Sequence, residues 1–196
     1  MKRSIWQLPR ARMAAFSVFA RNFLVWRKLI GPAIVLNFGE PVIYLLGLGI
    51  GLGALVGDIG GLPYLVFLAS GIVASSAMIS VSFEGMYSVY TRMVPQKTFD
   101  AIITTPLLIE DVIAGEILWA ATKSFFAASV MLAIVSFFGL IEYPTGLVIV
   151  PLAFVGGVMF GAFGMIFAAT CPSIDTLNLP VFLAVTPMFL FSGTFF

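Results

Sequence analysis

The chain has 196 residues, of which 61% are hydrophobic and only 10% are charged, and its formal net charge is +1. A soluble domain is typically about 45–50% apolar and ~25% charged, so a chain of this size could not hide so much apolar surface from water. The lack of histidine and the single cysteine, Cys171, exclude an intrachain disulfide and disfavour zinc sites, haem sites and histidine-based hydrolysis. With a mean hydropathy of +1.11, the composition predicts an integral membrane protein.

Residues 1–28 form a basic arm that holds seven of the ten lysine and arginine residues and no acidic residue. Cytoplasmic segments of membrane proteins carry an excess of Lys and Arg, so the N-terminus is predicted to be cytoplasmic. In the second half of the arm, at 100° per residue, four aromatic side chains fall within about 80° of one another, while Arg21 and Lys28 point to the opposite side. This pattern predicts an amphipathic helix in the membrane interface, with its aromatic face in the lipid and its cations at the headgroups; a plain basic flank is the alternative. The four aromatic residues are Phe16, Phe19, Phe23 and Trp26.

Residues 29–196 are predicted to form a transmembrane domain, because a membrane helix needs about 20 mostly apolar residues. Polar breaks divide this region into five predicted spans, and Pro41 is expected to bend or break the first of them. Arg92 and Lys97 place the connection at residues 90–106 in the cytoplasm, whereas the connections after spans one and three carry no basic residue. The predicted spans cover residues 29–56, 62–87, 107–138, 147–169 and 177–196.

The sequence stops at Phe196 inside an apolar stretch, with no polar tail after it. An ending of this kind is expected for a fragment of a longer protein. A natural terminus on the outer face is the alternative.

Glycines spaced four residues apart let membrane helices approach closely. They predict either a subunit interface or a moving seam, and ordinary packing within the chain is an equally good interpretation. The pairs are Gly47 with Gly51, Gly49 with Gly53, and Gly157 with Gly161.

Four charged residues lie inside or beside the apolar spans, where charge is costly and often functional: Glu40, Glu84, Glu116 and Lys123. Glu116 and Lys123 are seven residues apart and are predicted to share a helix face and to be able to pair. Glu110 and Asp111 have a structural explanation, because negative charge stabilises the first turn of a helix. Thr105 and Pro106 are the predicted N-cap and first residue of that helix.

The cytoplasmic connection contains an amphipathic segment at residues 97–103 that predicts a short helix. Held between two spans, such a helix could transmit a push from a soluble partner to the membrane. A plain interfacial loop is the alternative.

The segment Lys-Thr-Phe-Asp-Ala-Ile-Ile-Thr-Thr-Pro-Leu at 97–107, followed by Glu-Asp-Val-Ile-Ala-Gly-Glu at 110–116, resembles the first cytoplasmic loop of ABC-2 type transporter permeases. Further similarities are Leu-Gly-Leu-Gly-Ile-Gly-Leu-Gly at 46–53, the small-residue run at 69–78 and Thr-Pro-Met-Phe-Leu-Phe-Ser-Gly-Thr-Phe-Phe at 186–196. In their order and spacing these segments resemble the NodJ-like branch, the permeases of nodulation lipo-oligosaccharide export. The resemblance runs from about residue 26 to the end.

This resemblance implies an all-α, polytopic membrane domain with six spans, of which the chain contains five, and with both termini in the cytoplasm. It implies a homodimer in the bacterial inner membrane, surrounded by lipid, with a separate ABC ATPase subunit that binds ATP and magnesium. The substrate would be an amphiphile such as a lipo-oligosaccharide, a polysaccharide, a lipid-like molecule or a drug, and no nucleic acid is implied. The residues that would couple to the ATPase are Gln96, Lys97, Thr98, Phe99, Asp100 and Thr104.

The chain itself holds no Gly-x-x-x-x-Gly-Lys-[Ser/Thr] motif, so the expectation is a permease subunit and not an enzyme, with no cofactor of its own. One alternative is a secondary transporter driven by a proton gradient through Glu40, Glu84 and Glu116. The last alternative is an intramembrane enzyme or assembly factor, whose catalytic groups would have to be carboxylates.

Overall fold

A computed structural model describes residues 13–141 and 144–193, except for the side chains of residues 36, 37 and 40. The first twelve residues of the predicted basic arm and the last three of the fifth predicted span lie outside the described residues. The side chain of Glu40 also lies outside them, so its predicted intramembrane role stays a prediction.

The described chain is helical apart from one small hairpin, which confirms the prediction of an all-α fold. Two-residue strands β1 (Asp58–Ile59) and β2 (Leu62–Pro63) pair antiparallel across a turn in which Gly60 and Gly61 have positive φ, the region that glycine adopts most easily. The helices are α1 (Ala15–Arg27), α2 (Ile30–Gly51), α3 (Gly53–Val56), α4 (Tyr64–Phe83), α5 (Val89–Met93), α6 (Thr98–Ile103), α7 (Ile109–Phe137), α8 (Ile149–Thr170), α9 (Asn178–Pro180) and α10 (Thr186–Leu190), with 3-10 turns at Thr145–Val148 and Asp175–Leu177. A π-helical turn (Glu84–Ser88) joins α4 to α5, and a second one (Val181–Val185) joins α9 to α10.

Three helical stretches in the described part of the chain are long and apolar enough to cross a membrane: Tyr64–Met93, Ile109–Phe137 and Thr145–Thr170. Two shorter apolar stretches, Pro41–Val56 and Asp175–Leu190, lie where the first and last spans are predicted. The order of the five stretches follows the sequence pattern, while the number of crossings stays a prediction. Pro41 lies inside α2 and does not end it, because the helix continues to Gly51.

Helix α7 is the centre of the fold, since α1, α4 and α8 all pack against it. Two buried apolar clusters flank its length. The first includes Met86, Phe99 and Val112, near the start of α7, and the second includes Leu68, Met131 and Val135, near its end. The charged residues of the candidate functional site lie along the half of α7 that borders the first cluster.

Glycines bring α8 into backbone contact with its neighbours. A Cβ atom added to Gly157 would lie 2.7 Å from Ala121 Cα of α7, and one added to Gly161 would lie 2.9 Å from Ala120 Cβ. A Cβ atom on Gly164 would lie 2.9 Å from the carbonyl carbon of Gly85, in the first π turn. Gly157 and Gly161 therefore lie at a close helix contact, the geometry that their spacing predicted.

The glycines of α2 divide into two groups. Gly49 faces the Leu65 side chain, and Gly53 faces Tyr64, so this pair contacts the start of α4. Gly47 and Gly51 have open space where a Cβ would be. Their predicted packing role stays a prediction, because no described residue contacts that side of either glycine.

The predicted start of α7 is wrong by three residues. Leu108 is the N-cap and Ile109 begins the helix, so neither Thr105 nor Pro106 belongs to it. The Asp111 carboxylate accepts a hydrogen bond from the Leu108 backbone N–H at 3.0 Å, and this bond fixes the boundary. Thr105 instead donates its hydroxyl to the Ile102 carbonyl, which closes the end of α6.

The close contact of α8 with α7 predicts opposite effects at two adjacent glycines. Gly157→Ala should lower the free energy of unfolding by about 1–3 kcal/mol, because its methyl group would overlap the backbone of α7. Gly156→Ala is the matched control. Its Cβ meets nothing within 4 Å, so it should be neutral or stabilise by about 0.4–1 kcal/mol. Thermal unfolding of both variants in detergent measures the difference, and equal effects would contradict the contact.

Candidate functional site

Five charged side chains from four elements form one connected group, here called the ion network: Arg21, Glu84, Arg92, Glu116 and Lys123. Arg21 comes from α1, Glu84 from the first π turn and Arg92 from α5. Glu116 and Lys123 both come from α7. The network therefore joins α1 to α5 and α7, the helices that flank the predicted cytoplasmic connection.

Glu116 is the most deeply buried member, with a fully buried side chain. Its Oε1 accepts a hydrogen bond from Arg21 Nη2 at 3.1 Å. Its Oε2 accepts from Arg92 Nη2 at 2.7 Å and from Asn22 Nδ2 at 3.0 Å. A buried carboxylate is tolerated only when it is paired and hydrogen-bonded, and Glu116 meets both conditions.

Glu84 is held on both of its oxygens. Its Oε1 accepts from Arg92 Nη2 at 2.8 Å and from Trp119 Nε1 at 3.0 Å. Its Oε2 lies 3.8 Å from Lys123 Nζ. Glu84 is the first residue of the π turn, and such turns often mark functional positions in helices.

The predicted pairing of Glu116 with Lys123 is wrong in its partners. Both residues lie on α7 and face the same network, but Lys123 pairs with Glu84 and Glu116 pairs with the two arginines. The reason is that Arg21 and Arg92 approach Glu116 from other elements, each through one Nη2 atom, and occupy one carboxylate oxygen each.

The predicted orientation of α1 is also wrong for Arg21. Its side chain is 30% exposed and points to Glu116 of α7, on the side where the aromatic residues also pack. Burial lowers the pKa of Arg21 from its usual value, an effect that the Glu116 carboxylate opposes. A guanidinium is so strongly basic that Arg21 keeps its charge at neutral pH nonetheless.

The aromatic face of α1 packs against protein over most of its length. Phe19, Phe23 and Trp26 all lie edge-on to Trp119 of α7, with ring centroids 5.9–6.4 Å apart. Phe16, at the start of the helix, is 61% exposed. The aromatic stripe therefore serves as the contact with α7, while the interfacial position of α1 stays a prediction.

A partly open cavity of about 460 Å³ lies beside the ion network. It separates α1 from the π turn and α5, and it extends to the beginning of α6. Its wall combines polar side chains with the apolar edge of α1. The lining residues include Arg21, Trp26, Glu84, Tyr87, Arg92 and Gln96.

The predicted coupling segment is a short helix, as its pattern indicates. Helix α6 begins at Thr98, after Lys97 in a left-handed conformation with φ of 49°, and it contacts both α5 and α7. Phe99 is buried in the cluster that includes Val112, so it attaches α6 to the membrane domain.

The opposite side of the coupling segment is open to solvent. Gln96, Lys97, Asp100 and Thr104 are exposed, and Thr98 is half-buried at the edge of the cavity. The surface that a partner could touch is therefore formed by the polar residues of this set, and not by Phe99.

Sequence reasoning found three members of the ion network and missed the partners that hold them. Arg92 was used only to predict which side of the membrane its connection faces. Its position eight residues after Glu84 also places the two residues near the same face of a helix. Asn22 was missed as well, and its position as a polar residue within an aromatic-rich helix is the signal that could have revealed it. Trp119 gave no signal, because it becomes a hydrogen-bond donor only through the packing of α7 against the π turn.

Residues 14–196 match the family model described as ABC-2 type transporter. The chain is 37% identical to "Nodulation protein J" of Sinorhizobium fredii (strain NBRC 101917 / NGR234) over 195 residues, which cover the whole chain and 74% of that protein. It is 36% identical to "Nodulation protein J" of Neorhizobium galegae over 189 residues, 96% of the chain and 72% of the relative. A more distant relative, "Inner membrane transport permease YadH" of Escherichia coli (strain K12), is 20% identical over 176 residues. No solved structure matches the chain significantly.

The ion network predicts a large stability loss when its buried carboxylate is neutralised. Glu116→Gln should lower the free energy of unfolding by about 3–5 kcal/mol. The reason is that the substitution removes the negative charge that pairs with both Arg21 and Arg92. Asp175→Asn, the same chemical change at an exposed position, is the control and should shift it by less than about 0.5 kcal/mol. Unfolding of the purified protein in detergent measures both, and equal stabilities would show that the network carries no net energy.

Proposed function

This chain belongs to the ABC-2 type transporter family, and from that premise we propose that it is the permease subunit of an ATP-driven exporter for an amphiphilic molecule. Membership makes it a bacterial membrane permease of the ABC transporter class. We further propose that it works as a homodimer in the inner membrane, with ATP and magnesium bound by a separate ATPase subunit. The relatives named "Nodulation protein J" agree with the resemblance to the NodJ-like branch. That resemblance implies a lipo-oligosaccharide or a related amphiphile as the proposed substrate.

The observation that carries the proposal is the position of α6. This helix is anchored on the membrane domain by Phe99, and it exposes a polar surface that includes Asp100 and Thr104. It touches the end of the long helix Tyr64–Met93 on one side and α7 on the other. A force applied to α6 would act on both helices together.

The ion network provides the next step in the proposed coupling. Arg92 lies one residue before the end of α5, close to the connection that leads to α6, and its guanidinium binds Glu84 and Glu116. A displacement of α6 would therefore reach the start of the π turn, at Glu84, and the first half of α7, at Glu116, through charged contacts. Charged contacts of this kind exist in discrete arrangements, paired or separated, as a switching transporter requires.

The same contacts favour ATP-driven transport over the proton-driven alternative. A carboxylate that carries protons across a membrane must lose its charge during each cycle. Glu84 and Glu116 are each held by two or more positively charged or N–H partners, and these contacts would have to break in every cycle of a proton carrier. The geometry thus supports a structural role for both carboxylates.

The docking proposal predicts that a charge reversal on the exposed side of α6 weakens the stimulation of ATP hydrolysis by the permease. In a complex with its ATPase subunit, Asp100→Lys should lower the permease-dependent stimulation of ATP hydrolysis by about tenfold, equivalent to ~1.4 kcal/mol of docking free energy. Asp58→Lys makes the same change at the exposed β1 hairpin, and it should leave stimulation unchanged. Phe99→Ala should also lower stimulation, because α6 would lose its anchor. Unchanged stimulation in Asp100→Lys would contradict the docking proposal.

The proposed orientation predicts opposite accessibility for two exposed aspartates. In a Cys171→Ser background, Asp58→Cys should react with a membrane-impermeant maleimide in intact spheroplasts, because its loop is predicted to lie outside. Asp100→Cys should react only after the membrane is opened. Labelling of both, or of Asp100→Cys alone, in intact spheroplasts would contradict the predicted cytoplasmic N-terminus and the topology built on it.

A further inference from the structure

Three buried N–H donors without an acceptor belong to side chains that line the cavity beside the ion network. They are Arg21 Nη1, Trp26 Nε1 and Arg92 Nε, each buried and without a hydrogen-bond partner among the described residues. The fourth atom of this kind in the described part of the chain, Asp111 Oδ1, is an acceptor at the start of α7. A buried donor left without an acceptor costs free energy, so side chains that carry three such donors at one cavity would gain from an acceptor-rich molecule bound there.

The acceptors of the network itself are already used. Asn22 Oδ1 accepts from Arg21 Nε at 3.2 Å and from Arg21 Nη2 at 2.6 Å. Glu84 and Glu116 are each bound on both oxygens, to Arg21, Asn22, Arg92, Trp119 and Lys123. These acceptors are therefore occupied, while the three donors have no hydrogen-bond partner among the described residues.

The charge balance points to an anion. Three cations, Arg21, Arg92 and Lys123, face two carboxylates, which leaves an excess of one positive charge in a low-dielectric setting. At the cavity wall itself the two arginines oppose only Glu84. Arginine side chains suit phosphate especially well, because the planar guanidinium can offer several N–H groups to one tetrahedral anion.

The apolar side of the cavity indicates where the anion comes from. Val25 and Trp26 of α1 line the same cavity, together with Leu29, the N-cap of α2, and Val25 and Leu29 are more than half exposed. Tryptophan and aliphatic side chains next to a basic group are typical of the zone where lipid headgroups meet acyl chains. A headgroup in the cavity could therefore keep its chains against α1.

We propose that the cavity between α1 and the π turn–α5 segment is a binding site for a phosphoryl anion, the headgroup of an anionic lipid in the inner leaflet. Arg21 and Arg92 supply the charge, and the indole N–H of Trp26 adds a third donor. The ligand joins α1 to α5 and so strengthens the same connection that the ion network makes. This site requires only a membrane location and does not depend on the proposed transport.

Binding to the detergent-purified full chain tests the site, with phosphatidylglycerol, phosphatidylcholine and inorganic phosphate as three separate probes. The headgroup site predicts that phosphatidylglycerol binds at least about tenfold more tightly than phosphatidylcholine. Arg21→Gln should remove most of that preference. Arg27→Gln makes the same change on the exposed side of α1, and it should retain the preference within about twofold.

Because Arg21→Gln also removes an ion pair, Ser88→Phe provides a second variant. Ser88 lines the cavity and takes no part in the ion network, so phenylalanine should occlude the site, weaken phosphatidylglycerol binding about tenfold and leave the network intact. Phosphate binding that follows the same variants, without lipid selectivity, would support the anion site and assign it to a free anion. No selectivity for phosphatidylglycerol and no phosphate binding, or equal effects of Arg21→Gln and Arg27→Gln, would overturn the proposal.

Discussion

The guanidinium group of Arg92 makes the contact on which the packing around the ion network depends. A single nitrogen, Nη2, lies 2.8 Å from Glu84 and 2.7 Å from Glu116, so it holds one carboxylate on each of two long helices. Neither carboxylate could stay buried alone, because the cost of removing an ion from water is offset only by close, hydrogen-bonded partners. The positions of α1, α5 and α7 relative to one another follow from this requirement.

Two kinds of contact hold helices against α7. On the side of α8, glycines allow backbones to meet, and that contact needs no charge because surface shape alone brings the atoms together. On the side of α1, the contact combines aromatic edges with the Arg21–Glu116 pair. The first contact is dry and close, whereas the second borders a cavity. Movement is therefore easier to accommodate between α1 and the rest of the domain than between α7 and α8.

The same arrangement explains how the short helix α6 could transmit a force from a partner to the membrane domain. Phe99 is buried with Val112, and Arg92 lies close to the start of the connection. In the proposed transporter, one surface of α6 would meet the ATPase while the other leads into the ion network and the lipid-facing cavity. The proposed phosphoryl site would lie at the junction of these parts, where a bound headgroup would contact both α1 and α5.

The amino-acid sequence by itself determined that the chain is a membrane protein, that it is helical, and in which order its apolar stretches occur. These features depend on composition and local periodicity. It also predicted the short helix at Thr98–Ile103 and the close approach at Gly157, each of which follows from a local pattern. Only the tertiary structure decided the partners of Glu116, the orientation of Arg21 and the role of Trp119. The physical reason is that an ion pair across 24 or 95 residues depends on how separate helices pack, and no local spacing records that packing.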